Sequence, residues 1–298
     1  MTILRTPEER FSNLPDYGYA PHYFEHNGAR VHYIDEGHGE TILCLHGEPT
    51  WSYLYRKIIS ILRANYRLVA MDFIGFGRSD KFTEVDAYSF DVHFNTVVAL
   101  INELDLSGIT AVVQDWGGLI GLPVAAALPD RFSRLVIMNT GLPTGDVPAT
   151  AGFLKWRDYA IRTPDLPAGQ IVKRSLVHPE MISDEVVAAY DAPFPDIIYK
   201  AGSQAFPRLV PIAPNQDGAA QMREAQARLK TWTKPALVMF SDGDPVTRDG
   251  DRFFRALIPS AKNQPEITIH DAGHFLQEEK PNEIAANIAE FLHRTPLG

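Results

Sequence analysis

The sequence predicts an α/β fold: a mostly parallel central sheet flanked by helices, with a helical cap inserted between two parts of the core. Three observations lead there. Short apolar runs rich in β-branched residues alternate with helix-length amphipathic segments through the first half of the chain and again at its end. That rhythm stops in the middle, where prolines are dense from Pro148 to Pro214 and only helical pieces stand between them. Polar residues capable of chemistry recur just past the ends of the apolar runs, where open α/β sheets gather their ligands.

Taken in order, RVHYIDEG (30–37) reads as a strand closing in a glycine turn, and TILCLHG (41–47) as a buried strand. WSYLYRKIISILRA (51–64) has helical apolar spacing, RLVAMDFIG (67–75) is a strand, and FDVHFNTVVALINEL (90–104) a helix. ITAVVQD (109–115) is a strand followed by a helix to about Leu128, and RLVIMNT (134–140) is a further strand. Such alternation demands a parallel sheet covered on both faces. AGFLKWRDYAI and SDEVVAAYD are helical pieces of the insertion. After it come a helix (218–232), a strand (235–244), the helix DRFFRALI, a strand with its loop (266–274) and a closing helix, NEIAANIAEFLHRT. The expected organisation is core 1–144, cap 145–214 and core 215–298.

Composition narrows the function. The chain has 298 residues, long for one core and suited to a core with an insertion. Net charge is -9, with Lys and Arg scattered, so no basic stripe offers itself to phosphates and nucleic acid is not an expected partner. Cys44 stands alone in an apolar run, which excludes an intrachain disulfide and suits packing. MTILRTPEERFSNL lacks the apolar core of a signal peptide, and no run approaches the ~20 apolar residues of a membrane helix. A cytoplasmic monomer without a membrane partner is the expectation. No H-E-x-x-H or Cys/His ligand set occurs, so no metal is expected.

The strand ends carry His46, Gly47, Glu48, Asp72, Asp115, Trp116, Asn139, Asp242, Asp244, Asp271 and His274. Each has an ordinary structural reading: Asp115 as a helix cap, Asp242 and Asp244 as turn residues, His274 as a packed loop histidine. The order 115, 244, 274 nevertheless matches nucleophile, acid and histidine as α/β-hydrolases arrange them. In AVVQDWGGLIG (111–121) a strand turns sharply into a helix, and the pivot that often carries serine is Asp115. A carboxylate, with a reference pKa of ~3.9, is already an anion at neutral pH and can displace a leaving group from saturated carbon. The ester it forms needs water and a general base, the role open to His274, with Asp244 orienting the imidazole. An epoxide oxygen would call for an acidic O–H. A halide would call for N–H donors in an apolar pocket, and the indole of Trp116 is such a group. Ser79 in GFGRSDK completes no recognised motif, and His270 and His274 do not share a helical face.

HGEPTWSYLYRK (46–57), QDWGG (114–118), FLKWRDYAIRTPDL (153–166), APFPD (192–196) and DAGHFLQEE (271–279) resemble the haloalkane dehalogenases of the α/β-hydrolase superfamily. The resemblance spans nearly the whole chain and is nearest the subgroup with Glu in HGEPT and a second halide-binding tryptophan early in the cap. QDWGG alone is shared with epoxide hydrolases and fluoroacetate dehalogenases; HGEPT together with Trp156 is more specific. The resemblance implies the α/β-hydrolase fold, with Asp115, Asp244 and His274 catalytic and the N–H groups of Glu48 and Trp116 forming an oxyanion hole. It implies Trp116 and Trp156 as halide donors and Phe153 and Phe206 along the substrate pocket. It also implies a small haloalkane, water and a halide ion as the only partners, with no cofactor. Two rivals stand beside it. One is an epoxide hydrolase with the same triad, for which Tyr159, Tyr190 or Tyr199 would have to donate a proton. The other is a binding protein on a hydrolase scaffold that has lost its chemistry.

Overall fold

A computed structural model describes residues 2–297. In chain order the elements of the first half are β1 (Ile3–Leu4), β2 (His22–His26), β3 (Ala29–Gly37), β4 (Thr41–Leu45), α1 (Arg56–Leu62), β5 (Arg67–Met71), β6 (Lys81–Phe82), α2 (Phe90–Glu103), β7 (Ile109–Gln114), α3 (Trp116–Ala127) and β8 (Phe132–Met138). Four helices follow, α4 (Ala151–Arg162), α5 (Ala168–Arg174), α6 (Asp184–Asp191) and α7 (Ala201–Leu209). The chain closes with α8 (Ala219–Leu229), β9 (Ala236–Ser241), α9 (Gly250–Leu257), β10 (Ile267–Ile269), α10 (Leu276–Glu279) and α11 (Pro281–Arg294).

Eight strands form one sheet in the order β10-β9-β8-β7-β4-β5-β3-β2. Pairings from β10 to β5 are parallel, while β3 is antiparallel to both β5 and β2. Every residue of β4 and β7 is buried, which is why both read as unbroken apolar runs: helices cover both faces. β7 and β4 lie side by side at the centre, so the loops leaving their carboxyl ends, Glu48 on one and Asp115 on the other, are neighbours.

The sequence reading differs from the structure at β1 and β6, an antiparallel pair it does not contain, at β2 and at the start of α1. It has no strand at 22–26, yet β2 is there, joined to β3 by Asn27 and Gly28 with φ of 51° and 80°. An Asn-Gly pair in that conformation is a tight hairpin turn. The helix placed at 51–64 begins as a single 3-10 turn, Ser52–Tyr55, and becomes α-helical only at Arg56. The strand with its following loop expected at 266–274 has its strand at Ile267–Ile269 and its loop from His270. Between residues 145 and 214 the described structure holds helices and no strand.

Candidate active site

Asp115 sits where β7 passes into α3, with φ 50° and ψ -125°. A non-glycine residue there stores on the order of 1–3 kcal/mol of strain and needs surrounding bonds to hold it. Its N–H donates to Asn139 O at 3.0 Å, and its carbonyl accepts from Gly118 N at 2.9 Å and Thr140 Oγ1 at 2.6 Å. The carboxylate is fixed from the other loop: Glu48 N–H donates to Asp115 Oδ1 at 2.7 Å. Gly47 permits that approach, since a Cβ on it would lie 2.1 Å from Asp115 Oδ1. The N–H of Trp116, at the first turn of α3, has no intrahelical acceptor.

His274 lies between two carboxylates. Its Nδ1 is 2.8 Å from Asp244 Oδ2, and its Nε2 is 3.4 Å from Asp115 Oδ2. Asp244 in turn accepts from Val246 N at 2.8 Å and Thr247 Oγ1 at 2.5 Å. Burial works against a charged imidazole, but Asp244 and Asp115 outweigh it and raise His274 to about 10. Burial likewise pushes the Asp244 carboxyl up, and the His274 charge and hydrogen bonds bring it below its ordinary value. The two carboxylates thus favour a proton on the imidazole between them. The loop that carries the histidine is tied at several points: Asn139 Nδ2 donates to the carbonyls of Gly273 and His274 at 3.2 and 3.1 Å, and His274 N–H donates to Ser175 O at 3.0 Å. The Gln114 amide nitrogen donates to His274 O at 3.2 Å.

These groups open onto a cavity of about 350 Å³ whose other walls are mostly apolar. Glu48, Asp115, Trp116, Phe153, Trp156 and His274 all line it. Trp116 is nearly buried; Trp156, on α4, is half-buried and packs on Ala160, Leu166 and Ile171. Trp51 donates its indole N–H to Ala189 O at 3.2 Å, whereas those of Trp116 and Trp156 meet no protein acceptor among the described residues. Phe206 departs from its expected place. It is fully buried, is absent from the cavity wall and lies flat behind the Trp116 indole, ring centroids 4.3 Å apart. It supports a wall and does not form one.

The remaining strand-end residues serve other purposes. Asp72 accepts from Ser52 N and Arg78 N and pairs with His32; Asp72, Ser52 and His32 are buried. His46 donates to Gly47 O and accepts from Phe73 N. Asp242 pairs with His270, and Asp271 with His178, at the surface. Among the described residues no tyrosine lines the cavity; Tyr190 instead donates to Glu278 Oε1 at 2.5 Å, and Tyr159 is exposed. No three His, Cys, Asp or Glu side chains among the described residues come together as a metal site, and no helix is long and apolar enough to cross a membrane.

Sequence reasoning missed Thr247, which braces the acid, and Ser203 on α7, whose hydroxyl donates to Glu48 Oε1 at 2.5 Å. Thr247 follows the acid by three residues, a spacing at which threonine often caps a loop. Ser203 gives no signal in sequence, because its contact crosses 155 positions.

Comparison with known proteins agrees with this geometry. Residues 40–281 match the family described as alpha/beta hydrolase fold. The chain is 46% identical to a haloalkane dehalogenase of Psychrobacter cryohalolentis, covering 99% of this chain and 100% of that protein. It is 45% identical to one from Mycolicibacterium paratuberculosis, covering 97% of each. The tetrameric haloalkane dehalogenase DpaA of Paraglaciecola agarilytica superposes with a TM-score of 0.90 at 37% identity, covering 96% of this chain and 97% of that one. The chain belongs to the haloalkane dehalogenase family, within the α/β-hydrolase fold.

Proposed function

We propose that the protein hydrolyses the carbon–halogen bond of small haloalkanes, giving alcohol, halide and a proton, through a covalent ester on Asp115. The observation that carries this reading is one cavity holding a carboxylate on a strained turn, a paired histidine and two indole N–H groups without protein acceptors.

Asp115 attacks the halogen-bearing carbon. A C–O bond forms, the C–X bond breaks, and the halide leaves with the electron pair toward Trp116 and Trp156. Hydrogen bonds to a charged group contribute roughly 1.5–3 kcal/mol each, and these strengthen as halide charge develops, so they favour the transition state over bound substrate. Esterification removes the Asp115 charge, and with it one of the two anions that hold a proton on His274. The imidazole then releases that proton to solvent, where it is the proton counted among the products, and becomes a base, with Asp244 keeping it in orientation. Water attacks the ester carbonyl and gives its proton to Nε2. The oxyanion falls to Glu48 N–H, already 2.7 Å from Oδ1, and to Trp116 N–H; loss of one such donor typically costs about 2.7–4 kcal/mol. Collapse returns Asp115 and frees the alcohol. These steps need no metal or cofactor.

The absence of tyrosine from the cavity wall favours a halide over an epoxide oxygen as the leaving group. The test is bromide and proton release from 1,2-dibromoethane and 1-bromobutane, with styrene oxide in parallel. Bromide release that vanishes in Asp115→Ala supports the reading. Diol formation without bromide overturns it in favour of epoxide hydrolysis. A cytoplasmic monomer completes the reading; the lone buried Cys44, which asks for no oxidising compartment, supports its location alone. A tetramer in light scattering would overturn the monomer.

A further inference from the structure

The Glu48 side chain is the least explained group in the cavity. It is 4% exposed, and its Oε1 accepts one hydrogen bond, from Ser203 Oγ at 2.5 Å. Its Oε2 is buried without a partner among the described residues. Among the described residues no lysine or arginine lies within ion-pair reach of it. The titratable groups that share its cavity are Asp115, His274, Arg248 and Asp249, and none of them is ion-paired with Glu48. A buried carboxylate with one hydroxyl donor, no ion-pair partner and the Asp115 carboxylate for a neighbour is costly, and such a group takes up a proton instead. Burial accordingly pushes the Glu48 carboxyl well above the usual carboxylate range; Ser203 opposes this and Asp115 adds to it.

The serine reaches Glu48 because α7 is seated closely. Gly202 and Gly75 meet backbone to backbone: a Cβ on Gly202 would lie 3.0 Å from the Gly75 Cα. One turn further, Phe206 stacks on Trp116. Residues three apart share a helix face, so one face of a cap helix touches both Glu48, whose N–H donates to Asp115 Oδ1, and Trp116, the residue after the nucleophile.

We propose that Ser203 is a positioning residue for the side chain of Glu48, which it holds from the cap as a neutral hydrogen-bonding group of the nucleophile's cavity. This deepens the reading of the same site and rests on Asp115 being its nucleophile. A neutral carboxyl adds no negative charge where Asp115 must stay ionised and a halide must leave. It keeps Oε2 free for a water molecule. Clamped at Oε1, it also fixes the loop whose N–H rests on Asp115.

The test begins with the resting enzyme. A wild-type minus Glu48→Gln infrared difference spectrum at neutral pH should contain the carbonyl band of an un-ionised carboxylic acid. Ser203→Ala should move that band to higher frequency, because the carbonyl loses its donor, and Ser203→Thr should leave it in place. In rapid-mixing kinetics with 1-bromobutane, Ser203→Ala should slow ester hydrolysis roughly two- to tenfold, the span of one neutral hydrogen bond, and Ser203→Thr should recover it. A spectrum showing only ionised carboxylate, an acid band indifferent to Ser203→Ala, or an unchanged hydrolysis rate would each overturn the proposal. The infrared readout needs no turnover, so its failure is distinct from failure of the nucleophile assignment, which Asp115→Ala tests.

Discussion

Phe206 lies flat against Trp116, with ring centroids 4.3 Å apart and planes inclined by 24°. One ring belongs to the cap helix α7, the other to the residue after the nucleophile, so the cap sets the attitude of an indole in the cavity wall. An aromatic pair of this kind contributes about 0.5–1.5 kcal/mol beyond burial. Phe206→Leu keeps an apolar residue and removes the stack. Bromide affinity, measured by calorimetry, should fall roughly two- to tenfold. Unchanged affinity would mean that the indole holds its place without the cap.

Trp156→Phe removes an N–H and keeps an aromatic ring on α4. Loss of one hydrogen bond to an anion should weaken bromide binding roughly ten- to a hundredfold. The same calorimetric titration reads it. Equal binding by the variant would reduce Trp156 to packing on Ala160, Leu166 and Ile171.

Asp244→Asn leaves the shape of the acid and removes its charge. The ester should still form on Asp115, because attack on carbon needs no base. Its hydrolysis should slow roughly 10³–10⁴-fold, as when a triad histidine loses its carboxylate. Stopped-flow traces should then show a full burst of bromide followed by a much slower steady phase. A burst lost together with the steady rate would place Asp244 in the first step.

His93 makes a separate forecast about stability. It is fully buried beside Phe73 and Phe206, and neither ring nitrogen has a partner among the described residues. Burial, with a smaller contribution from His46, lowers its pKa to about 3. The unfolded chain takes up this proton below about 6.5, and the folded one does not. Stability should therefore fall with acidification between about 6.5 and about 3, by at most about 1.4 kcal/mol per pH unit from this group. His274 has the opposite sign: raised to about 10, it stabilises fully below about 6.5 and ceases to as pH rises through its folded value. Urea unfolding of His93→Leu across the acid range should show a shallower acid limb and no loss at neutral pH. An unaltered acid limb would mean that His93 is not the group that titrates.

Much of this was legible in the chain. The buried run of β7 ending in Asp115 and two glycines carried the strained turn, and Asp244 and His274 lay at strand ends in the order that brings them together. Covered parallel strands are apolar on both faces, so their ends are easily found. The hairpin at Asn27 and Gly28 was also written in the sequence and went unread, because β2 buries only Phe24 and carries no apolar run. The cap was another matter. Phe153 and Phe206 look alike in sequence, yet one faces the cavity and the other backs an indole. That choice is made by how α7 docks at Gly75, and Ser203 meets Glu48 for the same reason.

The covalent ester is the central claim, and trapping it is the most direct measurement. His274→Phe should be incubated with 1-bromobutane, and its intact mass and peptides read by mass spectrometry. A single butyl group on the peptide containing Asp115, formed with one equivalent of bromide and persisting after excess substrate is removed, is the expected result. Bromide release with an unmodified Asp115 peptide, or an adduct on another residue, would contradict it.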